Sequence, residues 1–360
     1  MFTPETRAAA FRDAPRRLRA HRPTNVRALL TALAAEADEP PDWYGAGGAL
    51  EVFEAELAQR FDKPAAVFVP SGTLAQQVML RIATERAGCP TLGFHPTCHL
   101  ELHEHHGYSF VHGMRSRLVG QRHRALVRAD LDAVREPLGA LLLELPQREV
   151  GGELPPWHDL VAQVQWARER GVWAHLDGAR VWEASAGYDR PLDEIAALFD
   201  SVYVSFYKVL GGIAGAALLS DADTIARARV WIGRLGGNLV SMYPMVLAAR
   251  RGLRDQLPRV PGYLRRAKDV AEVLRGFAGV RVKPDPPHTN MMHVFFPAEP
   301  ERLLDASAAT ALERGIALIT AAVPTEVPGV CRAELVIGDA SDDLTDQELR
   351  EGFAALLARL

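Results

Sequence analysis

Lysine is scarce in this chain: it occurs only as Lys63, Lys208, Lys268 and Lys283, and arginine supplies most of the positive charge. Cysteine is scarcer still. Cys89, Cys98 and Cys331 stand far apart without CxxC spacing, which argues against a disulfide framework or a structural zinc site and fits a reducing cytoplasm. No apolar run reaches the roughly 18 residues of a membrane helix, so no membrane partner is expected. The N-terminus mixes Glu5 and Asp13 with arginines and lacks the charged-then-apolar order of a leader. No basic stripe exists beyond the short cluster Arg16 to Arg22. With 41 basic and 45 acidic residues the net charge is −4, which makes nucleic acid a poor partner and a small molecule a better one.

What is present is ordinary for a globular protein, with 48% hydrophobic and 24% charged residues over 360 positions, enough for a large domain and a smaller one. Short β-branched, apolar runs alternate with helical stretches, the pattern of a sheet covered by helices on both faces, hence an α/β fold. The runs predict strands at Ala65 to Val69, Ala140 to Glu144, Val172 to Leu176, Ser201 to Phe206 and Ala214 to Leu219. Helices are predicted at Leu74 to Arg86, His158 to Glu169 and Thr224 to Trp231. After about Arg254 prolines punctuate the chain and a long amphipathic stretch runs from Gly262 to Phe277. The expected organisation is an N-terminal segment, residues 1–40, without a strand pattern and packing on a subunit or domain surface; a large domain, 41–255; and a small C-terminal domain, 256–360.

Three segments carry chemistry. Lys208 closes the run Ser201-Val-Tyr-Val-Ser-Phe-Tyr and precedes Gly211 and Gly212. An ammonium at a buried strand end is costly unless it is paired or loses its charge, as it does in a Schiff base, although a lysine that snorkels to solvent explains this segment equally well. Val172-Trp-Ala-His-Leu runs into Asp177-Gly-Ala-Arg180, which puts a carboxylate at the sheet edge where open α/β sheets bind ligands. By itself Asp177 reads as a turn cap. Beside Lys208 it suits the protonated pyridine nitrogen of pyridoxal 5′-phosphate. Phe68-Val-Pro-Ser71-Gly72-Thr73 leads a strand into a helix start, whose free N–H groups suit a phosphate, although Ser71 or Thr73 alone reads as an N-cap. Phosphate cup, carboxylate and lysine in that order are more specific together than any one alone.

These segments resemble the threonine aldolase and β-eliminating lyase group of fold-type-I pyridoxal phosphate enzymes, from about Tyr44 to Asn290. The likeness lies in FVPSGT at 68–73, HLDGAR at 175–180 and the lysine segment at 205–212. It implies an aspartate aminotransferase-like fold, with a large mixed-sheet α/β domain and a smaller α+β C-terminal domain. It also implies that Ser71, Gly72 and Thr73 cradle the phosphate, Asp177 holds the pyridine nitrogen, His99 stacks on the ring, and Lys208 forms the Schiff base. Arg180 would bind the substrate carboxylate, with Arg332 a second candidate if the alignment opens a one-residue gap; ungapped, Glu334 stands there. Tyr44 would reach the site of a partner subunit, implying a homodimer or homotetramer. The crowded His103, His105, His106 and His112 show no metal spacing and read as rim residues.

The chain also departs from the group. Gln147 stands where a histidine near the substrate hydroxyl is common, Tyr207 where a serine is common, and Val240 where an arginine often reaches a neighbouring phosphate, with Arg234 a possible substitute. The implied reaction is cleavage of the Cα–Cβ bond of a 3-hydroxy amino acid to glycine and an aldehyde. The proton acceptor is open among His99, a water and a histidine of the 103–106 cluster. The rivals are β-elimination or racemisation of another amino acid, favoured by Gln147, which cannot take a proton, and a pyridoxal phosphate-binding protein without turnover.

Overall fold

The computed structural model describes residues 2–360 and divides into two compact units. The larger is Thr24–Glu149 with Leu154–Pro258; the smaller takes the chain up to Pro23, Val150–Glu153 and Arg259–Leu360. The first forty residues therefore do not form one segment. They contain a strand as well: Arg16–Arg17 pairs in parallel with Ile316–Ala317 in the smaller unit. That strand pairs through backbone groups, and two arginines, one of them bonded to Glu348, give no apolar pattern by which to find it.

The larger unit is built on a seven-stranded sheet of β1 (Ala65–Val69), β2 (Thr91–Phe94), β3 (Arg115–Leu118), β4 (Ala140–Glu144), β5 (Trp173–Gly178), β6 (Ser201–Ser205) and β7 (Ala216–Ser220). Their order is β1-β7-β6-β5-β4-β2-β3; β7 runs against both neighbours and every other pair is parallel. β6 and β7 are buried along their whole length, as expected for strands covered on both faces. The pattern predicted five strands close to their observed bounds and missed β2 and β3. β3, with the sequence RSRL, is a largely exposed edge strand whose arginines hide it from an apolar pattern and also discourage edge pairing.

Helix α1 (Gly72–Ala87) begins two residues before the predicted start because Ser71 caps it: its Oγ accepts from the Leu74 N–H at 3.3 Å. It ends at Gly88, whose φ of 60° suits a left-handed helix stop. Val78, Met79 and Ile82 pack towards β1 and β7, while Leu80 and Ala83 pack towards β2 and β4, so the helix is apolar on most sides. Behind the ends of β1 and β6 lies an aromatic cluster. Phe206 sits 5.8 Å from Phe68, 5.3 Å from Phe53 and 6.1 Å from Trp182, and Phe61 sits 5.5 Å from Trp182.

The smaller unit carries a four-stranded antiparallel sheet in the order Val323–Pro324, Cys331–Val336, Met291–Phe296, Arg281–Lys283. Val260–Arg275, Pro300–Arg314 and Asp346–Leu357 are its longer helices, and Val294, Phe296, Leu303 and Phe353 lie in its core. No helix among the described residues is long and apolar enough to cross a membrane.

Phe206→Ala removes the ring shared by three of these aromatic contacts, and the expected cost is about 3–5 kcal/mol. Urea unfolding would measure it; a loss under about 1 kcal/mol would mean that the cluster does not organise this end of the sheet.

Candidate active site

The ends of β4, β5 and β6 lie side by side. Glu144, the last residue of β4, is in register with Asp177 on β5, and the Leu145 N–H donates to the Asp177 carbonyl at 3.0 Å. Beyond β6 the chain turns through Phe206 and Tyr207 to Lys208. Two bonds lock that turn to the Asp-Gly-Ala-Arg segment: Ser205 Oγ donates to the Ala179 carbonyl at 2.8 Å, and Trp182 Nε1 donates to the Ser205 carbonyl at 2.9 Å. His175 does not reach this edge. It is fully buried between Ser201 Oγ (2.8 Å) and Gln76 Oε1 (2.7 Å), which ties β5 to β6 and α1, and burial pushes its pKa down to about 3.

Electrostatically the edge is strained. Burial and the neighbouring Arg180 guanidinium push the Lys208 ammonium down to about 8, while Asp177 and Glu144 pull it the other way. Asp177 is buried and its pKa is raised by burial, against the pull of the Ala179 N–H at 3.1 Å and of Lys208. Glu144 is raised by burial and then by Asp177. One of its oxygens accepts from the Arg148 N–H at 3.1 Å; the other, Oε2, is buried with no partner. Glu183, three residues beyond Arg180 on helix α2 (Val181–Tyr188), also has a buried Oε2 with no partner, and burial pushes its pKa up to about 7. Arg180 is part-buried; its carbonyl accepts from the Glu183 and Ala184 N–H groups, but its guanidinium has no hydrogen-bond or ion-pair partner among the described residues.

Around this centre the other candidates fall into place unevenly. Gly72 packs so closely that a Cβ there would lie 2.0 Å from the Tyr203 hydroxyl and 3.0 Å from that of Tyr207. The Tyr207 ring in turn lies 5.8 Å from Lys208 Nζ, so one side chain links the lysine to the start of α1. Ser71 and Thr73 are exposed at that helix start. His99 is part-buried; its Nδ1 lies 3.0 Å from Glu104 Oε1, and Gln77 Nε2 donates to the other Glu104 oxygen at 3.3 Å. His99 lies near enough to lower the pKa of both Asp177 and Glu144. Gln147 is buried, with its Nε2 3.4 Å from Thr97 Oγ1. Tyr44 lies on an exposed loop with a φ of 47°, where its N–H donates to the Val240 carbonyl at 3.0 Å. Arg332 belongs to the smaller unit, opposite Phe295 and Val323 in its sheet.

A model of the β-eliminating lyase family matches residues 23–297. The chain belongs to that family. Low-specificity L-threonine aldolase 1 of Arabidopsis thaliana is 29% identical over 272 residues, covering 72% of this chain and 74% of its own. A Listeria monocytogenes structure described provisionally as an L-allo-threonine aldolase is 36% identical, with a TM-score of 0.95 over 99% of both chains. An Exiguobacterium structure described provisionally as an aromatic amino acid β-eliminating lyase or threonine aldolase is 38% identical, with a TM-score of 0.94 over 99% of this chain and 100% of its own. The architecture is that of fold-type-I pyridoxal phosphate enzymes, as expected from the sequence.

Within this family fold, sequence reading passed over Glu144 and Glu183. Both carried a signal. Glu144 ends a strand in the same manner as Asp177, and the spacing of Glu183 from Arg180 sets the two on neighbouring positions of one helix turn. Tyr203 gave none, because an aromatic inside a buried strand reads as core.

The Glu183 carboxyl has a folded pKa above its ordinary 4.5, so its contribution favours the fold at low pH and is lost as pH rises to about 7. Glu183→Gln is therefore expected to match the parent protein below about pH 4 and to exceed its stability by on the order of 1–3 kcal/mol above pH 8. Urea midpoints at the two pH values would test this; equal differences at both would mean that the fold does not raise the pKa of Glu183.

Proposed function

We propose that the chain is a pyridoxal phosphate-dependent aldehyde-lyase that cleaves the Cα–Cβ bond of a 3-hydroxy amino acid to glycine and an aldehyde. Arg180 carries this reading: a part-buried guanidinium without a protein partner, beside Lys208 and two carboxyls that each keep an unbonded oxygen. A flat, two-pronged donor of this kind suits the carboxylate of an amino acid.

The residues present also fit the cofactor. The buried Asp177 carboxylate suits a protonated pyridine nitrogen, and Lys208, pushed down to about 8, loses its proton readily enough for condensation with an aldehyde. Ser71, Gly72 and Thr73 offer the free N–H groups of α1 to a phosphate. When bound, the cofactor supplies a ring that accepts the electron pair released as a bond to Cα breaks. The chain's own part is to orient and to move a proton. Arg180 would fix the substrate carboxylate and thereby set which bond at Cα is aligned for cleavage. A Glu104 carboxylate, 3.0 Å from His99 Nδ1, would hold the imidazole proton there and leave Nε2 to take the β-hydroxyl proton. Gln147 contacts the substrate without exchanging a proton with it.

Trp43, Tyr44 and Val240 are large apolar side chains exposed on two loops joined by the Tyr44–Val240 bond, and exposed Tyr243 opens the helix that follows. Such a surface supports a homodimer or homotetramer in which Tyr44 serves a partner's site. The free thiols Cys89, Cys98 and Cys331 suit action in the cytoplasm. The second reading, β-elimination, draws support from Gln147 and from the description of the Exiguobacterium relative.

Purified protein is expected to show a visible cofactor band that is absent in Lys208→Ala, and to release glycine and aldehyde from threonine or allo-threonine. Pyruvate and ammonia from serine in place of glycine would move the assignment to elimination, and absence of the band from both proteins would remove the cofactor claim. Arg180→Lys is expected to keep the band and to raise KM about tenfold or more.

A further inference from the structure

Gln147 sits at the end of a buried chain of hydrogen bonds whose direction can be read from one carbonyl. His95 Nε2 lies 2.8 Å from the Gln121 carbonyl oxygen, a group that only accepts, so Nε2 carries the proton. Burial holds the imidazole at about 4 and therefore neutral, with Asp130 and Arg124 nearby engaged in their own 2.7 Å ion pair. Nδ1 is then a bare acceptor. It takes the Thr97 N–H at 3.2 Å and, from 2.9 Å, the Thr97 hydroxyl proton. With that proton committed, Thr97 Oγ1 has only lone pairs to offer Gln147, which must turn its NH2 towards it, at 3.4 Å. The other polar atom of the carboxamide, Oε1, has no donor among the described residues. Gln147 and His95 border one small pocket together with Glu144, beside the Asp177 strand end.

We propose that His95 and Thr97 are positioning residues that hold Gln147 as a hydrogen-bond acceptor only, so that the site selects amino acids whose β-substituent donates a hydrogen bond. The inference rests on the reading that places Gln147 at the substrate and deepens it. On binding, a hydroxyl satisfies Oε1 and turns its single proton to His99 only for transfer, whereas a β-methylene or β-ketone leaves a desolvated oxygen without a donor, and discrimination of this kind exceeds what shape alone gives. A freely rotating amide would accept or donate as required and would lose that preference.

The test compares binding of threonine or allo-threonine with 2-aminobutyrate, which lacks the hydroxyl, on the cofactor-loaded protein by rapid-mixing absorbance before turnover. The parent protein is expected to prefer the hydroxy acid by about tenfold or more. Thr97→Val, which keeps the shape and removes the hydroxyl, is expected to bring the ratio to within about twofold of unity, and Thr97→Ser to restore it. Gln147→Ala should match Thr97→Val. An unchanged ratio in Thr97→Val, with Gln147→Ala altered, would overturn the relay; an unchanged ratio in Gln147→Ala would overturn the contact itself. Preference for the hydroxy acid without glycine release would overturn the lyase assignment while supporting the selection by Gln147.

Discussion

Phe206 stacks on Phe68 at 5.8 Å, and the segments that hold the site's chemistry leave from that contact. Phe68 leads to Ser71 and Gly72, Phe206 leads to Lys208, and Trp182, which also packs on Phe206, follows Arg180 by two residues. Aromatic rings suit this task because each buries a large area with few rotatable bonds and packs edge or face against its neighbours. A lysine, an arginine and a helix start are thus fixed relative to one another by groups with no part in the reaction. Ser205 and the Trp182 Nε1–H complete the arrangement by tying the backbone of the lysine turn to that of the Asp-Gly-Ala-Arg turn.

That apolar floor has an electrostatic consequence. It lowers the local polarisability beneath the strand ends, so every charge placed there is weakened unless another opposes it. Lys208 is pushed towards neutrality while Asp177, Glu144 and Glu183 are pushed towards protonation, each mainly by burial. Oppositely shifted acids and bases at one edge are what proton-moving chemistry requires and what a purely structural ion pair avoids. Among the described residues the Arg180 guanidinium makes no ion pair despite carboxyls close by, which fits the proposed use of its charge on a substrate carboxylate.

Much of this was legible in the sequence where a residue's chemistry and its place in a strand coincide. Asp177 and Lys208 each end a buried apolar run, and the sheet geometry turns that position into proximity. β3 was not legible, because the edge strand Arg-Ser-Arg-Leu carries only one apolar residue, and neither was the strand at Arg16–Arg17, which pairs through its backbone. His175 shows the opposite error that a motif invites. It stands in the most specific segment of the chain, yet points away from the edge to satisfy Ser201 and Gln76. Side-chain alternation along β5 separates it from Asp177 only by period, since residues two apart share a face, and the distinction rests on depth along the strand.

The departure at Gln147 follows from the same logic once the proposed reaction is divided into two tasks. A histidine at that place could both orient a hydroxyl and remove its proton; a glutamine can only orient. The proton then needs another acceptor, and His99 has the arrangement for it, because an acceptor-only carboxylate at Glu104 decides which ring nitrogen is bare. Glutamine also brings a risk that histidine does not, since its two ends are nearly isosteric and opposite in hydrogen-bonding sense. The chain from the Gln121 carbonyl through His95 and Thr97 removes that ambiguity without placing a charge in the pocket. A neutral orienting group costs little to bury and leaves the pKa values of Lys208 and the neighbouring carboxyls to be set by one another, so separating orientation from proton transfer suits an edge already crowded with ionisable groups.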